Sequence, residues 1–98
     1  MPGLADVPRT KIVCTIGPAS RSETVIERLM EAGASVFRLN FSHGTHEKHE
    51  EALGFIRSVS DRLGRPVAVL QDLCGPKFRV GRVPEGGIPC RDGETLVI

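Results

Sequence analysis

The residues best suited to chemistry in this sequence follow three separate apolar segments. In parallel α/β folds, ligands bind at the carboxyl ends of the strands. If the three segments are parallel strands, their ends bring two guanidiniums, an ammonium, a carboxylate and several small oxygen donors to one rim. The residues predicted at this rim are Thr15, Arg38, Asn40, Ser42, His43, Asp72, Gly75, Lys77 and Arg79.

Arg38 is the most informative of these residues because it lies inside an apolar segment. Strand alternation places it on one face with Val36, Asn40 and Ser42. A guanidinium on the inside or the rim of a sheet needs an anionic partner, and a phosphate matches its fork geometry. An ion pair with Asp72 would meet the same need, so the spacing leaves both interpretations open.

Asn40, Ser42 and Asp72 offer an amide oxygen, a hydroxyl and a carboxylate at adjacent strand ends. Hard oxygen ligands of this kind suit an alkali or alkaline-earth cation. Asn and Ser also satisfy backbone groups in turns. Taken without further context, the residues favour the turn over the cation site.

Histidine and cysteine, the other metal-ligating types, form no zinc motif here. Three histidines recur at three-residue spacing among charged residues, which favours a solvated helix face over a metal site: His43, His46 and His49. Three cysteines lack C-x-x-C spacing, which favours reduced, packed thiols over disulfides or a zinc site. They are Cys14, Cys74 and Cys90.

The elements that position these residues alternate in the order β-α-β-α-β. Apolar runs predict strands over residues 11–16, 34–41 and 66–70, with the last buried on both faces. Short connections and right-handed crossovers make this order a parallel α/β unit.

Two helices are predicted between the strands. Ser20 and Glu23 have the spacing of a capping box for the first helix, and Gly33 supplies its left-handed stop. Gly44 or Thr45 begins a longer second helix, whose apolar residues recur at helical spacing.

A change in composition predicts a domain boundary near Val80 or Gly81. Residues 1–8 are expected to be a flexible lead and residues 9–80 the α/β unit, whereas residues 81–98 hold four glycines and two prolines. Three buried parallel strands with two helices cannot cover both faces of a sheet, and a closed (β/α)8 barrel takes ~250 residues. We therefore expect a fragment that supplies the first three βα units of such a barrel.

Composition excludes several classes of protein. A net charge of +1 and the absence of Trp and Tyr argue against a strongly basic nucleic-acid binder with aromatic stacking platforms. No apolar stretch approaches the ~18 residues of a membrane span, and the amino-terminal residues do not resemble a signal peptide, so the cytoplasm is expected. Neither a Rossmann fingerprint nor a Walker loop is present.

Three motifs, in order and spacing, resemble those of the pyruvate kinase family. They are T-K-I-V-C-T-I-G-P-A-S at residues 10–20, R-L-N-F-S-H-G at residues 38–44 and D-L-C-G-P-K-F-R at residues 72–79. The last is similar to the family pattern D-x-x-G-P-[EK]-I-R. The resemblance covers residues 9–79, and it implies that residues 81–98 begin a small β-rich lid domain inserted after the third strand.

The resemblance implies transfer of a phosphoryl group from phosphoenolpyruvate to ADP, giving pyruvate and ATP in glycolysis. It implies that Arg38 contacts the transferring phosphoryl group. By the same likeness, two further sets of residues have roles. The monovalent-cation site would comprise Asn40, Ser42, Asp72 and the Leu73 carbonyl, and the nucleotide side would comprise Asn40, Phe41, Ser42, His43 and Arg79.

The third motif departs from many family members, which carry Thr-Lys and Glu where this sequence has Leu73, Cys74 and Lys77. Lysine at this place resembles the branch of the family that does not need potassium. Lys77 is therefore predicted to substitute for the cation's charge.

The resemblance also implies that the Mg²⁺ ligands and the catalytic lysine follow Ile98, that the chain alone is inactive, and that the complete protein is a tetramer. The alternative hypotheses are a non-catalytic module that binds phosphorylated metabolites and an interaction module that pairs through an open strand edge.

Overall fold

The computed structural model describes residues 8–97, which form a three-stranded sheet and two helices. In chain order the elements are β1 (Val13–Thr15), α1 (Glu23–Glu31), β2 (Val36–Asn40), α2 (His46–Leu63) and β3 (Ala68–Asp72). The strands are parallel and lie in the order β1-β2-β3. The predicted β-α-β-α-β order is confirmed. The predicted lead, except for residue 8, lies outside the described residues.

The register of the sheet places the candidate residues on one face. Arg38 in β2 is the partner of Thr15 in β1 and of Leu70 in β3. Asn40 is the partner of Asp72 at the carboxyl ends of β2 and β3. Paired residues of adjacent parallel strands point to the same face. The polar residues therefore line the sheet face that does not carry the helices.

The core lies on the opposite face, between the sheet and the two helices. Because both β-α-β connections cross on this side, alternate residues of each strand face the apolar sides of α1 and α2. Burial of each large side chain contributes roughly 1.5–3 kcal/mol relative to exposure. The largest fully buried side chains are Phe37, Ile26, Met30, Ile56 and Val59.

The face that carries Arg38 is open. Val13 in β1 is 53% exposed and Leu70 in β3 is 47% exposed. The prediction that the third strand is buried on both faces is therefore wrong. Its apolar residues do alternate across both faces, but the described residues provide a covering layer on one side only.

The predicted capping box of α1 is wrong. Ser22 is the N-cap, and its Oγ accepts a hydrogen bond from the Val25 N–H at 3.3 Å. Ser20 lies in the preceding turn, where its Oγ accepts a 2.9 Å hydrogen bond from the Gly17 N–H. The helix thus begins at Glu23, and Gly33 follows its C-cap with a positive φ, as predicted.

Thr45, one of the two predicted starting residues, caps α2 by accepting a hydrogen bond from the Lys48 N–H. Hydrogen bonds from the backbone of Glu47 and from the Thr45 side chain lower the pKa of the Glu47 carboxyl below its ordinary value. A negative charge in the first turn also interacts favourably with the helix dipole. This helix start fixes where the chain turns after β2.

The strands differ from their predicted limits because pairing decides where a strand ends. Pro66 has no N–H to donate, and the ladder of β3 begins with the bond from the Ala68 N–H to the Ser35 carbonyl. At its other end β3 continues to Asp72, two residues beyond the predicted end. The two other strands are shorter than predicted.

Residues 73–97 contain no helix or strand and are exposed. The apolar run at residues 95–97 therefore forms no strand. Cys74 and Cys90 are exposed, so the prediction of packed thiols is wrong for both and fits only the half-buried Cys14. Among the described residues, no helix combines the length and apolarity that crossing a membrane requires.

Candidate functional site

Arg38 is held by side chains from both neighbouring strands. Its Nε donates to Asp72 Oδ2 at 2.9 Å and its Nη2 donates to the same oxygen at 2.5 Å. From the other side, Nη1 donates to Thr15 Oγ1 at 3.2 Å. The side chain is 31% exposed, so the guanidinium is fixed in orientation yet open to solvent.

The arrangement leaves Arg38 able to bind an anion. A guanidinium has five N–H donors, and three are engaged by Asp72 and Thr15. Two donors remain, which is the number that a bidentate oxyanion uses. The ion pair with Asp72 and a phosphate contact are therefore compatible.

The turn after β2 uses the Asn40 side chain. Asn40 Oδ1 accepts the Ser42 N–H at 3.1 Å, and the Asn40 carbonyl accepts the His43 N–H at 3.2 Å. The Phe41 N–H extends the ladder by donating to the Asp72 carbonyl at 2.9 Å. The interpretation of Asn40 as a turn residue is thus confirmed. Its amide oxygen retains a lone pair, as does Asp72, whose two bonds to Arg38 use one oxygen.

These oxygens fit an alkali cation better than a transition metal. Asn40 and Asp72 are partners across β2 and β3, so amide and carboxylate oxygens stand at adjacent strand ends. Large cations with hard character take such ligands. Within residues 8–97, no group of three or more His, Cys, Asp or Glu could hold a metal ion. The structure brings together Asn40 and Asp72, whereas the roles of Ser42 and of the Leu73 carbonyl as further donors stay predictions.

His49 contacts the turn after β2, a contact that was not predicted from the sequence. Its Nε2 lies 2.7 Å from the His43 carbonyl, and its ring stacks on Phe41 with centroids 4.4 Å apart and planes at 13°. The solvated-face prediction is therefore wrong for His49, whereas His43 and His46 are exposed. No spacing pattern in the sequence distinguishes His49 from the other two histidines.

The structure does not bring every predicted residue to Arg38. Lys77 and Arg79 lie in the exposed segment after β3. Neither forms a side-chain hydrogen bond or ion pair with another residue of the described part. Their placement in the site stays a prediction.

Comparison with known proteins identifies the family of the chain. Residues 7–98 match the family model described as pyruvate kinase, barrel domain. The chain belongs to the pyruvate kinase family. The family resemblance of the three motifs is thereby confirmed.

Individual pyruvate kinases are similar to the chain over most of its length. The chain is 49% identical over 90 residues to pyruvate kinase of Staphylococcus haemolyticus, an alignment that covers 92% of the chain and 15% of the relative. It is 51% identical to pyruvate kinase of Geobacillus stearothermophilus, with the same coverage of 92% and 15%. It is also 51% identical to pyruvate kinase of Corynebacterium efficiens, in an alignment that covers 92% of the chain and 19% of the relative. The chain thus spans less than a fifth of the length of these relatives.

Proposed function

We propose that this chain is the N-terminal part of a pyruvate kinase, which transfers the phosphoryl group of phosphoenolpyruvate to ADP to give pyruvate and ATP. Family membership supports the reaction class. The observation that carries the proposal is the guanidinium of Arg38, which is held by Asp72 and Thr15 and keeps two N–H donors for an oxyanion.

In this proposal Arg38 binds the phosphoryl group that is transferred. Phosphoryl transfer depends mainly on positioning and on neutralising charge on the equatorial oxygens. A guanidinium already fixed by two neighbouring strands needs little reordering to meet those oxygens. Mg²⁺ would supply further charge neutralisation when bound, and its ligands and the catalytic lysine are assigned to residues beyond Ile98.

The nucleotide side is assigned to Asn40, Phe41, Ser42, His43 and Arg79. Asn40 ends β2 and the next three residues form the turn that follows, close in the chain to Arg38, which supports a nucleotide close to the phosphoryl group. We further propose that residues 9–80 supply three βα units of a (β/α)8 barrel, that residues 81–98 begin the lid domain, and that the complete protein is a cytoplasmic homotetramer. The open sheet face supports the barrel because an unfinished barrel exposes its interior.

The cation site is assigned to Asn40, Ser42, Asp72 and the Leu73 carbonyl, with the ammonium of Lys77 in place of K⁺. The wild-type complete enzyme is therefore expected to work without K⁺. Lys77→Glu should make activity depend on K⁺, and Lys48→Glu, the same charge change on exposed α2, should not. Activity that is equally indifferent to K⁺ in both variants would contradict the role of Lys77.

The central experiment measures ADP-dependent pyruvate formation from phosphoenolpyruvate with Mg²⁺. The complete chain that carries this sequence should be active, and the 98-residue chain alone should be inactive. Arg38→Lys keeps the positive charge but loses the planar guanidinium that can bind a phosphate through two N–H groups. We therefore expect about a hundredfold loss of kcat in the complete chain. Arg28→Lys, on the exposed surface of α1, is the matched control.

Two results would contradict the proposed function. An Arg38→Lys variant as active as the wild type would remove Arg38 from the phosphoryl site. Binding of phosphoenolpyruvate by the complete chain without turnover would favour the non-catalytic binding module instead.

A further inference from the structure

The turn after β2 is contacted by the imidazole ring of His49, a residue of α2. We call residues 41–45 the 41–45 loop. The carbonyl of His43 can only accept, so the 2.7 Å contact requires His49 Nε2 to carry the proton and donate it. The same ring stacks nearly parallel on Phe41, at the start of the loop. His49 therefore fixes the loop by a hydrogen bond and by an aromatic contact.

The backbone of the loop follows the ring closely. Gly44 has φ +75°, and a Cβ built on it would lie 3.3 Å from His49 Nε2. A glycine at this place thus satisfies both the left-handed backbone and the close approach of the imidazole. The loop and His49 fit each other at three places: Phe41, the His43 carbonyl and Gly44.

Arg38 is held by different contacts. Its guanidinium is bonded to Asp72 and Thr15, which belong to the sheet. The loop can therefore shift without releasing Arg38. A change at His49 should affect the loop selectively.

We infer that His49 is a positioning residue, which holds the 41–45 loop so that Ser42 and His43 are placed for the nucleotide. This inference rests on the proposed function, because the nucleotide side is assigned there. His49 does not touch the reacting groups in this role. It acts through the loop, and its effect should be on ADP rather than on phosphoenolpyruvate.

The kinetic test uses the complete chain with His49→Ala. Loss of one ordered hydrogen bond and the stack should raise KM for ADP by about tenfold. The KM for phosphoenolpyruvate should stay within about twofold, because Arg38 is held separately. His49→Gln, which keeps an N–H donor, and His49→Phe, which keeps a ring, should each restore part of the ADP affinity.

His46 provides the matched control on the same helix. Its ring is exposed and tilted at 47° to Phe41 with a centroid distance of 5.7 Å. Its side chain forms no hydrogen bond with another of residues 8–97. His46→Ala should leave the KM for ADP within about twofold of the wild type.

A second measurement does not depend on activity. The amide protons of Ser42 and His43 are bonded to Asn40. His49→Ala in the complete chain should speed their hydrogen exchange by about tenfold, since exchange reports local opening, whereas His46→Ala should not. A wild-type chain that makes no pyruvate would refute the proposed function and the nucleotide role together, while exchange would still show whether His49 holds the loop.

Faster exchange together with a selective rise in KM for ADP supports the inference. Exchange in His49→Ala that equals the wild type overturns it. An equal rise in both KM values also overturns it, because that result indicates a general structural role. Faster exchange without any change in KM for ADP removes the link to the nucleotide.

Discussion

At the scale of single residues, Arg38 satisfies a carboxylate and still keeps donors for an oxyanion. The bonds to Asp72 align the guanidinium along β3, and the bond to Thr15 pulls its other end toward β1. Thr15 is thus more than a strand residue. Its hydroxyl decides which two N–H groups of Arg38 remain available.

We predict that Thr15→Val in the complete protein lowers kcat/KM for phosphoenolpyruvate by about fivefold, which corresponds to about 1 kcal/mol for one hydrogen bond. Thr15→Ser keeps the hydroxyl and should retain activity close to that of the wild type. Steady-state kinetics with phosphoenolpyruvate as the varied substrate checks both. Equal values for the Val and Ser variants would show that the 3.2 Å bond does not orient Arg38.

The residue-scale contacts could be predicted only where strand alternation determines them. The placement of Arg38 beside Asp72 follows from parallel strands in register, and the sequence indicated that ion pair as one of two open interpretations, the other being a phosphate contact. The stack of His49 on Phe41 depends on where α2 begins and how it lies across the sheet. Spacing along the chain does not contain that information, so three evenly spaced histidines looked alike.

At the scale of elements, the order of strands and helices was predictable and their ends were not. Ser20 and Glu23 have the spacing of a capping box, yet the turn at Gly17 uses Ser20 and leaves Ser22 as the cap. Competition between two hydroxyls for nearby N–H groups decides such ends. The C-terminal ends of the helices were easier to predict than their starts, because few residues other than glycine adopt a positive φ.

Alanine at two glycines, one inside α2 and one at its C-cap, should change the free energy of unfolding in opposite directions. Gly54 lies inside the helix with nothing within 4 Å of a built Cβ, so Gly54→Ala should raise the free energy of unfolding by about 0.8–1 kcal/mol. Gly64 ends the helix at φ +62°, so Gly64→Ala should lower it by about 1–2 kcal/mol. Urea unfolding of the two variants checks the signs. A stabilising Gly64→Ala would mean that the left-handed end is not formed.

At the scale of the whole molecule, the contrast between the two faces of the sheet is the main feature. Phe37 and the helices make a closed core on one side, and Val13 and Leu70 remain about half exposed on the other. The sequence correctly predicts apolar residues on both faces of β3. Whether the second of those faces is buried depends on further strands, which the local sequence pattern does not specify.

If the exposed face is the interior of a barrel, Leu70→Ser should have different effects in two settings. In the 98-residue chain it should lower the free energy of unfolding by less than about 1 kcal/mol, because the side chain is already half exposed. In the complete protein the same change should cost about 2–4 kcal/mol, because it removes a buried apolar side chain and places a hydroxyl in a core. Phe37→Leu is the matched control and should destabilise both chains, since Phe37 is fully buried within residues 8–97 alone. Urea unfolding of the four variants decides the matter, and equal costs of Leu70→Ser in the two chains would contradict a barrel closed over this face.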